Sequence, residues 1–290
     1  MNETISVLGG NGVYARHLLP RLTRAGHRVR AVVRRPEAAD AARACGADVA
    51  VADIFDAEAL ARALEGASLV INIATSLPGP SGRGDFDAND RLRKEGAHNV
   101  VAACKAAGAA RLIQQSIGFL GPTPAGAWSD EDTVFAPTPD TTAGRAGLAA
   151  LAMEAAIKAS GLDWLILRGG LFYGPGTGFD DGWHARAAAG KLRLPGDGSD
   201  YVSLVHIADM AAATAAAVRV WPSRSTFIVC DDEPAPWRDV FGFIAAAHGK
   251  PPPEPGGARN FPSFRMRNAR ARAALGWAPF HATYREGLTR

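Results

Sequence analysis

A short apolar run, Thr4 to Leu8, leads straight into Gly9-Gly10-Asn11-Gly12 and then into a helix-forming stretch, Val13 to Ala25, that Gly26 stops. Strand, glycine turn and helix in that order form the first unit of a dinucleotide-binding fold. The physical demand is narrow. A pyrophosphate has to come close to the main chain, so side chains are excluded at the turn. The free N–H groups and the positive dipole end of the helix then face the anion. Gly9 permits the turn, Gly12 permits the approach, and Ala15 is small enough for the helix to pack on the strand. Asn11 and Val13 belong to the same cradle. Two registers fit, Gly10-x-Gly12-x-x-Ala15 and Gly9-x-x-Gly12-x-x-Ala15. Gly-Gly-Asn-Gly is also ordinary turn chemistry, so position between strand and helix carries the reading.

Apolar runs and helical segments go on alternating. Strands are predicted at Arg28–Val33, Asp48–Ala52, Ser68–Ile73 and Arg111–Gln115. Helices are predicted at about Pro36–Cys45, Ala57–Leu64 and Asn89–Ala107, with Gly46, Gly66 and Gly108 as stops. This alternation predicts an α/β fold, a Rossmann doubly wound parallel sheet. The proline-bearing segment Gly118–Asp140 reads as a long loop. It is followed by a small-residue helix (Ala143–Ser160), a strand (Trp164–Leu167) and a turn-rich stretch (Gly169–Gly182). Tyr201–His206, a helix over Ile207–Val220 and a strand at Thr226–Cys230 return to the sheet. A helix at Trp237–His248 and an Arg-rich helix at 265–272 close the chain. The division expected is a Rossmann core over 1–168, rejoined by 201–230, and a small C-terminal substrate lobe from 169–200 and 231–290.

Composition narrows the partners. A chain of 290 residues can bury a large core, and a formal charge of +3 argues for neither nucleic acid nor a membrane surface. Cys45, Cys104 and Cys230 are odd in number and far apart, with no C-x-x-C, so neither a disulfide framework nor a zinc site is indicated. With no long apolar segment and no leader-like start, a cytoplasmic protein is expected.

The end of the second strand is where such folds distinguish their cofactors. A carboxylate there binds the ribose 2′-hydroxyl, and an arginine accommodates a 2′-phosphate. This chain reads Val32-Val33-Arg34-Arg35-Pro36, which points to NADP(H), since guanidinium groups suit a phosphate. The alternative is a pair of solvated surface arginines. Asp53, beside Ile54, stands where a carboxylate can accept from an adenine amine, or can cap the next helix. Ala74 and Thr75, after the fourth strand, are small enough for a cofactor to cross the sheet edge.

Together these motifs resemble the extended short-chain dehydrogenase/reductases, relatives of the NAD-dependent epimerases and dehydratases, over nearly the whole chain. The resemblance also rests on Ser116 after the fifth strand, on Leu165 to Gly176, on His206-Ile207-Ala208-Asp209, and on Leu275-Gly276-Trp277-x-Pro279. It implies a Rossmann core with a substrate lobe. It also implies a Tyr-x-x-x-Lys dyad on the helix after the long loop, whose tyrosine exchanges a proton with the substrate. Aligning Glu154 with the acid that follows that lysine puts Ala150 at the lysine and Ala146 at the tyrosine. The residues four places after the chain's four tyrosines are Leu18, Thr177, Val205 and Leu288, so no other register supplies the dyad.

Ser116 is then the one catalytic candidate, able to hydrogen-bond a substrate carbonyl or the nicotinamide amide, or simply to tie off a strand end. His206 and Asp209 resemble the feature that joins lobe to core. His184 with Asp180 and Asp181 reads as a surface group before it reads as an acid/base pair, and Thr142 reads as a helix N-cap. Two functional classes stay open. One is an NADP(H)-dependent oxidoreductase or epimerase-like enzyme with non-standard acid/base chemistry. The other is a non-catalytic NADP(H)-binding redox sensor or scaffold. Phe119, Leu120, Trp128 and Phe135 on the long loop suggest a small, largely apolar substrate. The resemblance further implies a homodimer through the helices 89–107 and 143–160.

Overall fold

The computed structural model describes residues 3–78, 84–124 and 126–289. Residues 79–83, in the Gly/Pro-rich stretch that follows the fourth strand in the sequence, lie outside the described residues. The first half runs β1 (Thr4–Leu8), α1 (Val13–Arg24), β2 (Arg28–Val33), α2 (Asp40–Ala44), β3 (Asp48–Val51), α3 (Ala57–Leu64), β4 (Leu69–Asn72), α4 (Phe86–Arg91), α5 (Ala97–Ala106) and β5 (Arg111–Ile117). Then come α6 (Thr142–Lys158), β6 (Asp163–Gly169), β7 (Leu171–Tyr173), α7 (Phe179–Ala188), β8 (Leu204–His206), α8 (Ile207–Val220), β9 (Ser225–Val229), α9 (Trp237–Ala247), α10 (Ala269–Leu275) and α11 (Tyr284–Leu288).

Seven of these strands form one sheet in the order β9-β6-β5-β4-β1-β2-β3. The pairs β3–β2, β2–β1, β1–β4 and β4–β5 are parallel. The chain winds outward from β1 first to one side and then to the other, which is the doubly wound Rossmann arrangement and puts a topological switch point between β1 and β4. Strand pairing follows the apolar pattern. Ile5, Val7 and Leu8 of β1 are fully buried, as are all four residues of β4, as expected of central strands covered on both faces.

By contacts the chain divides into two units, Met1–Ser116 with Ala149–Leu167 and Thr214–Thr226, and Ile117–Leu148 with Arg168–Ala213 and Phe227–Arg290. In the first unit, α3 buries Leu60, Ala63 and Leu64, and α5 buries Ala97, Val100, Ala103 and Cys104. Both are helical-period stripes that pack with Val70, Leu112 and Ile166 of the strands. Asp56 caps α3 by accepting the Ala59 N–H at 2.9 Å. Burial pushes the Cys104 thiol up to about 12, so it behaves as an inert core group.

The helix expected over 89–107 begins earlier and is not regular. Asp85 caps α4, and between α4 and α5 residues Leu92–Gly96 make a π-helical turn. The turn ends on a tight contact: a Cβ at Gly96 would stand 3.1 Å from Ile54 Cγ2 and 3.2 Å from Leu92 Cδ1.

The second unit holds a core of Tyr173, Leu204, Trp237, Val240, Ile244, Phe264 and Tyr284. Two expectations are corrected here. The Arg-rich segment is a helix only from Ala269. Arg265–Met266 instead pairs in parallel with Trp128–Ser129, because the Arg265 guanidinium lies over the Trp128 ring at 4.1 Å and the Tyr201 ring at 4.5 Å. The N-cap of α6 is Thr141, whose hydroxyl accepts the Gly144 N–H at 3.0 Å, while Thr142 is the first helical residue.

Asp209, buried in the first turn of α8, holds the chain's last segment. Its carboxylate accepts the backbone N–H groups of Phe280 and His281, each at 3.0 Å, and His281 Nδ1 at 2.8 Å. The His281 ring stacks on His206 with centroids 3.9 Å apart. The ligand-capable atoms of these three residues lie within 4.8 Å of one another, but the Asp209 oxygens already serve three donors, so the cluster is a clamp. Asp209→Ala leaves those donors unpaired in the interior and is expected to lower stability by roughly 2–4 kcal/mol, measured by urea denaturation.

Candidate functional site

The first unit concentrates the predicted binding residues at the carboxyl ends of β1, β2 and β4. Gly9 has φ +82°, and a Cβ there would fall 2.8 Å from Ala74 Cα and 2.9 Å from Ala74 N. The turn therefore lies directly against the end of β4, and only glycine can occupy the position. Gly10 is constrained from the other side, since its Cβ would meet Ala31 Cβ of β2 at 2.6 Å. Both registers of the glycine motif thus contain a glycine that packing requires.

Gly12 differs. Its Cβ would meet only the Gly9 carbonyl at 3.3 Å, so its openness is toward whatever lies above the turn. The Gly12 N–H closes the turn on the Gly9 carbonyl at 3.0 Å, and α1 starts with no side-chain cap and no acid in its first turn. Asn11 beside it is exposed and Val13 half-buried. First-turn N–H groups left without a cap, above glycines that exclude side chains, fit a dinucleotide pyrophosphate.

Asn72 prepares the other wall. Its amide donates to Gln114 Oε1 at 2.9 Å, and its Oδ1 accepts the Ala74 N–H at 3.2 Å, which fixes the turn that carries Ala74 and the exposed Thr75. Asp53 Oδ1 accepts the Phe55 N–H at 2.9 Å, which fixes its carboxylate at the end of β3, beside Ile54 in the core. The two arginines after β2 are not equivalent. Arg35 pairs with Glu37 at 3.5 Å, whereas Arg34 is exposed and has no acidic partner among the described residues.

Ser116, at the end of β5, is buried, and its hydroxyl donates to Glu154 Oε1 of α6 at 2.8 Å. Glu154 Oε2 lies 3.6 Å from Lys158 Nζ. The serine proton is therefore committed to a carboxylate. Tyr14, Tyr173 and Tyr284 are all buried, and burial raises the pKa of each. None of the three is a ready proton donor.

The second unit revises the substrate-lobe residues. His184 and Asp180 are buried, not surface groups: His184 Nδ1 lies 3.0 Å from His248 Nε2, and Asp180 accepts from Thr177 Oγ1 at 3.0 Å. The loop aromatics are mostly packing. Phe119 lies edge-on to Phe261 at 5.1 Å, Leu120 is fully buried, and Trp128 carries Arg265. The unit's open cavity, of about 420 Å³, is built instead from α7, α9 and the segments 191–195 and 257–261. No motif marked these residues, although Phe179, Trp183, Trp237 and Phe241 recur at helical spacing.

Among the described residues no helix is long and apolar enough to cross a membrane. The model of an NAD(P)H-binding family matches residues 9–217. End to end the chain is similar to 3-diazoavenalumate denitrifying reductase from a Streptomyces species, 36% identical over 99% of both chains. It is also similar to 2-alkyl-3-oxoalkanoate reductase from Stenotrophomonas maltophilia, 28% identical over 85% of this chain and 76% of that one. In fold it is similar to UDP-glucose 4-epimerase from Thermotoga maritima, with a TM-score of 0.81 and 20% identity over 99% of this chain and 96% of that one.

The two outer glycines separate packing from binding. Gly9→Ala is expected to destabilise the fold by about 1–3 kcal/mol through strain at positive φ and the clash with β4. Gly12→Val is expected to keep the stability and lose the dinucleotide. Urea denaturation and the fluorescence of bound nicotinamide dinucleotide read the two effects apart.

Proposed function

The chain belongs to the NAD(P)H-binding family, on the short-chain dehydrogenase/reductase fold, and from that premise we propose that it is an NADP(H)-dependent reductase whose substrate needs little proton donation from the protein. Its activity class, oxidoreductase or epimerase-like enzyme, is the one its relatives carry. The observation that carries the finer reading is the end-to-end similarity to a denitrifying reductase. By its name that relative acts on the anion of a diazo-bearing acid and removes nitrogen reductively. On a diazonium carbon, one hydride forms the new C–H bond while the C–N bond breaks and its electron pair leaves with dinitrogen. The balance closes without a protein proton, which agrees with a chain in which no tyrosine is followed four places later by lysine.

Within this proposal Gly9, Asn11, Gly12 and Val13 hold the pyrophosphate, Asp53 and Ile54 flank the adenine, and Ala74 and Thr75 let the cofactor cross toward its nicotinamide end. Bound there, the nicotinamide supplies the hydride. Ser116 donates its hydroxyl hydrogen to Glu154 in a hydrogen bond, which leaves its oxygen to accept from the substrate or carboxamide side. Arg34 is the arm for a 2′-phosphate, and Arg35, already paired, backs it. The free thiols of Cys45, Cys104 and Cys230 support a cytoplasmic setting.

The test is anaerobic consumption of NADPH with a hydroxyarene diazonium carboxylate and, separately, with simple aryl ketones, using Gly12→Val as the blank for uncatalysed reduction. One dinitrogen per NADPH is expected from the diazonium compound, with ketones slower by about 10²-fold or more. Equal turnover of ketones overturns the proposal, and dinucleotide binding with no turnover of either favours the sensor. NADP(H) is expected to bind more tightly than NAD(H), and Arg34→Gln to erase about tenfold or more of that preference in a calorimetric titration. A homodimer through α4–α5 and α6 belongs to the same reading. Light scattering is expected to give twice the chain mass, and a monomer at every concentration removes it.

A further inference from the structure

The second unit's cavity of about 420 Å³ is lined on one side by Phe179, Trp183, Phe241 and Phe261. Trp183 and Phe241 lie with centroids 5.7 Å apart, and Phe179 lies 6.2 Å from Trp183 and 6.4 Å from Phe261. Trp237, which also lines the cavity, lies edge-on to Trp183 at 5.7 Å. These rings form a wall deep enough for a flat apolar group, and Phe179 keeps 39% of its surface exposed where it lines the cavity.

The same cavity carries three cations and no acid. Arg186, Lys191 and Arg193 line it, and no aspartate or glutamate does. Arg193 donates only to the adjacent Leu192 carbonyl, and none of the three has a carboxylate partner among the described residues. Asp180, the buried acid of the same helix, is engaged by Thr177. Three unneutralised cations around an aromatic wall are complementary to an anion.

The lining also says what the ligand lacks. Among the lining side chains there is one carboxamide, Asn260, and no hydroxyl or carboxylate. Sugar hydroxyls buried there would find too few acceptors, and each unpaired polar group costs binding energy. A nucleotide sugar is therefore disfavoured against a ligand whose polarity is gathered into one charged end.

We infer that this cavity binds an aromatic carboxylate, its ring held among Phe179, Trp183, Phe241 and Phe261 and its carboxylate met by Arg186, Lys191 and Arg193. That the ligand is the substrate rests on the reductase reading, whereas its binding does not. Calorimetric titration of the full chain with trans-cinnamate, its methyl ester and UDP-glucose tests the assignment, with NADPH fluorescence followed in parallel on the same samples. Cinnamate is expected to bind about tenfold or more tightly than the ester. Arg186→Gln with Lys191→Gln is expected to weaken cinnamate by about 10- to 100-fold while leaving the ester unchanged. Gly182 lines the cavity from within α7, where a Cβ would meet the Arg186 guanidinium at an ordinary 3.5 Å. Gly182→Leu is thus expected to fill the space and abolish binding of both acid and ester. Equal affinity for acid and ester, tighter binding of UDP-glucose than of cinnamate, or full binding by the Gly182→Leu chain overturns the inference. Failure to bind NADPH with cinnamate still bound counts against the reductase reading and supports the cavity assignment.

Discussion

The gap between the glycine turn and the end of β4 is too narrow for a methyl group, and much of the first unit is arranged around that fact. A Cβ on Gly9 would meet main-chain atoms of Ala74, so the turn is pressed onto the sheet at the point where the winding direction reverses. On the opposite side, Gly10 is pressed onto Ala31. Held between two strands, the turn has no freedom to lift, and α1 begins at a fixed height above the sheet with its first N–H groups uncapped. Asn72, through Gln114 and the Ala74 N–H, keeps the β4 side of the gap from relaxing. Precision at an anion cradle here comes from backbone packed on backbone, which has fewer soft degrees of freedom than any side-chain arrangement.

The chemistry of the two units is divided by type of charge. The first offers oriented main-chain dipoles and an exposed guanidinium after β2, Arg34, together with a serine whose proton faces a carboxylate. The second offers fixed cations beside aromatic faces. Tyr14, Tyr173 and Tyr284 are buried with their phenols held protonated, and Asp231, also buried, has its pKa pushed well above the ordinary carboxylate range by desolvation.

Much of the first unit was legible because its signals are local and redundant. The strand edges of β1 and β2, the bounds of α3 and α8, and the glycine stops Gly26, Gly46, Gly66 and Gly108, all at positive φ, follow from apolar period and turn chemistry alone. The candidate cofactor residues could be proposed because each follows directly on a strand that the apolar period marks, at the carboxyl ends of β1 to β4. What escaped was set by contacts distant in sequence. Arg265 reads as a charged helix face until Trp128 and Tyr201 capture it. His184 reads as a surface group until His248, sixty-four residues on, covers it. The cavity's aromatic wall reads as core, and only the shape of the second unit shows that one side of it is left open.

The π-helical turn at Leu92–Gly96 sets the phase of the two helices that flank it. A π turn holds one residue more than the α-helical turn it replaces, so the faces of α4 and α5 are out of phase by one position. The stripe Ala97, Val100, Ala103, Cys104 that meets α3 is registered to the Gly96–Ile54 contact, while the residues of α4 follow their own count from Asp85. Inserting one residue into a regular helix produces such a turn. A relative that carries a regular helix here would differ by a single-residue gap, with both flanking helices keeping their burial patterns. The segment's signature is written in helical phase, and phase does not depend on which side chains surround it.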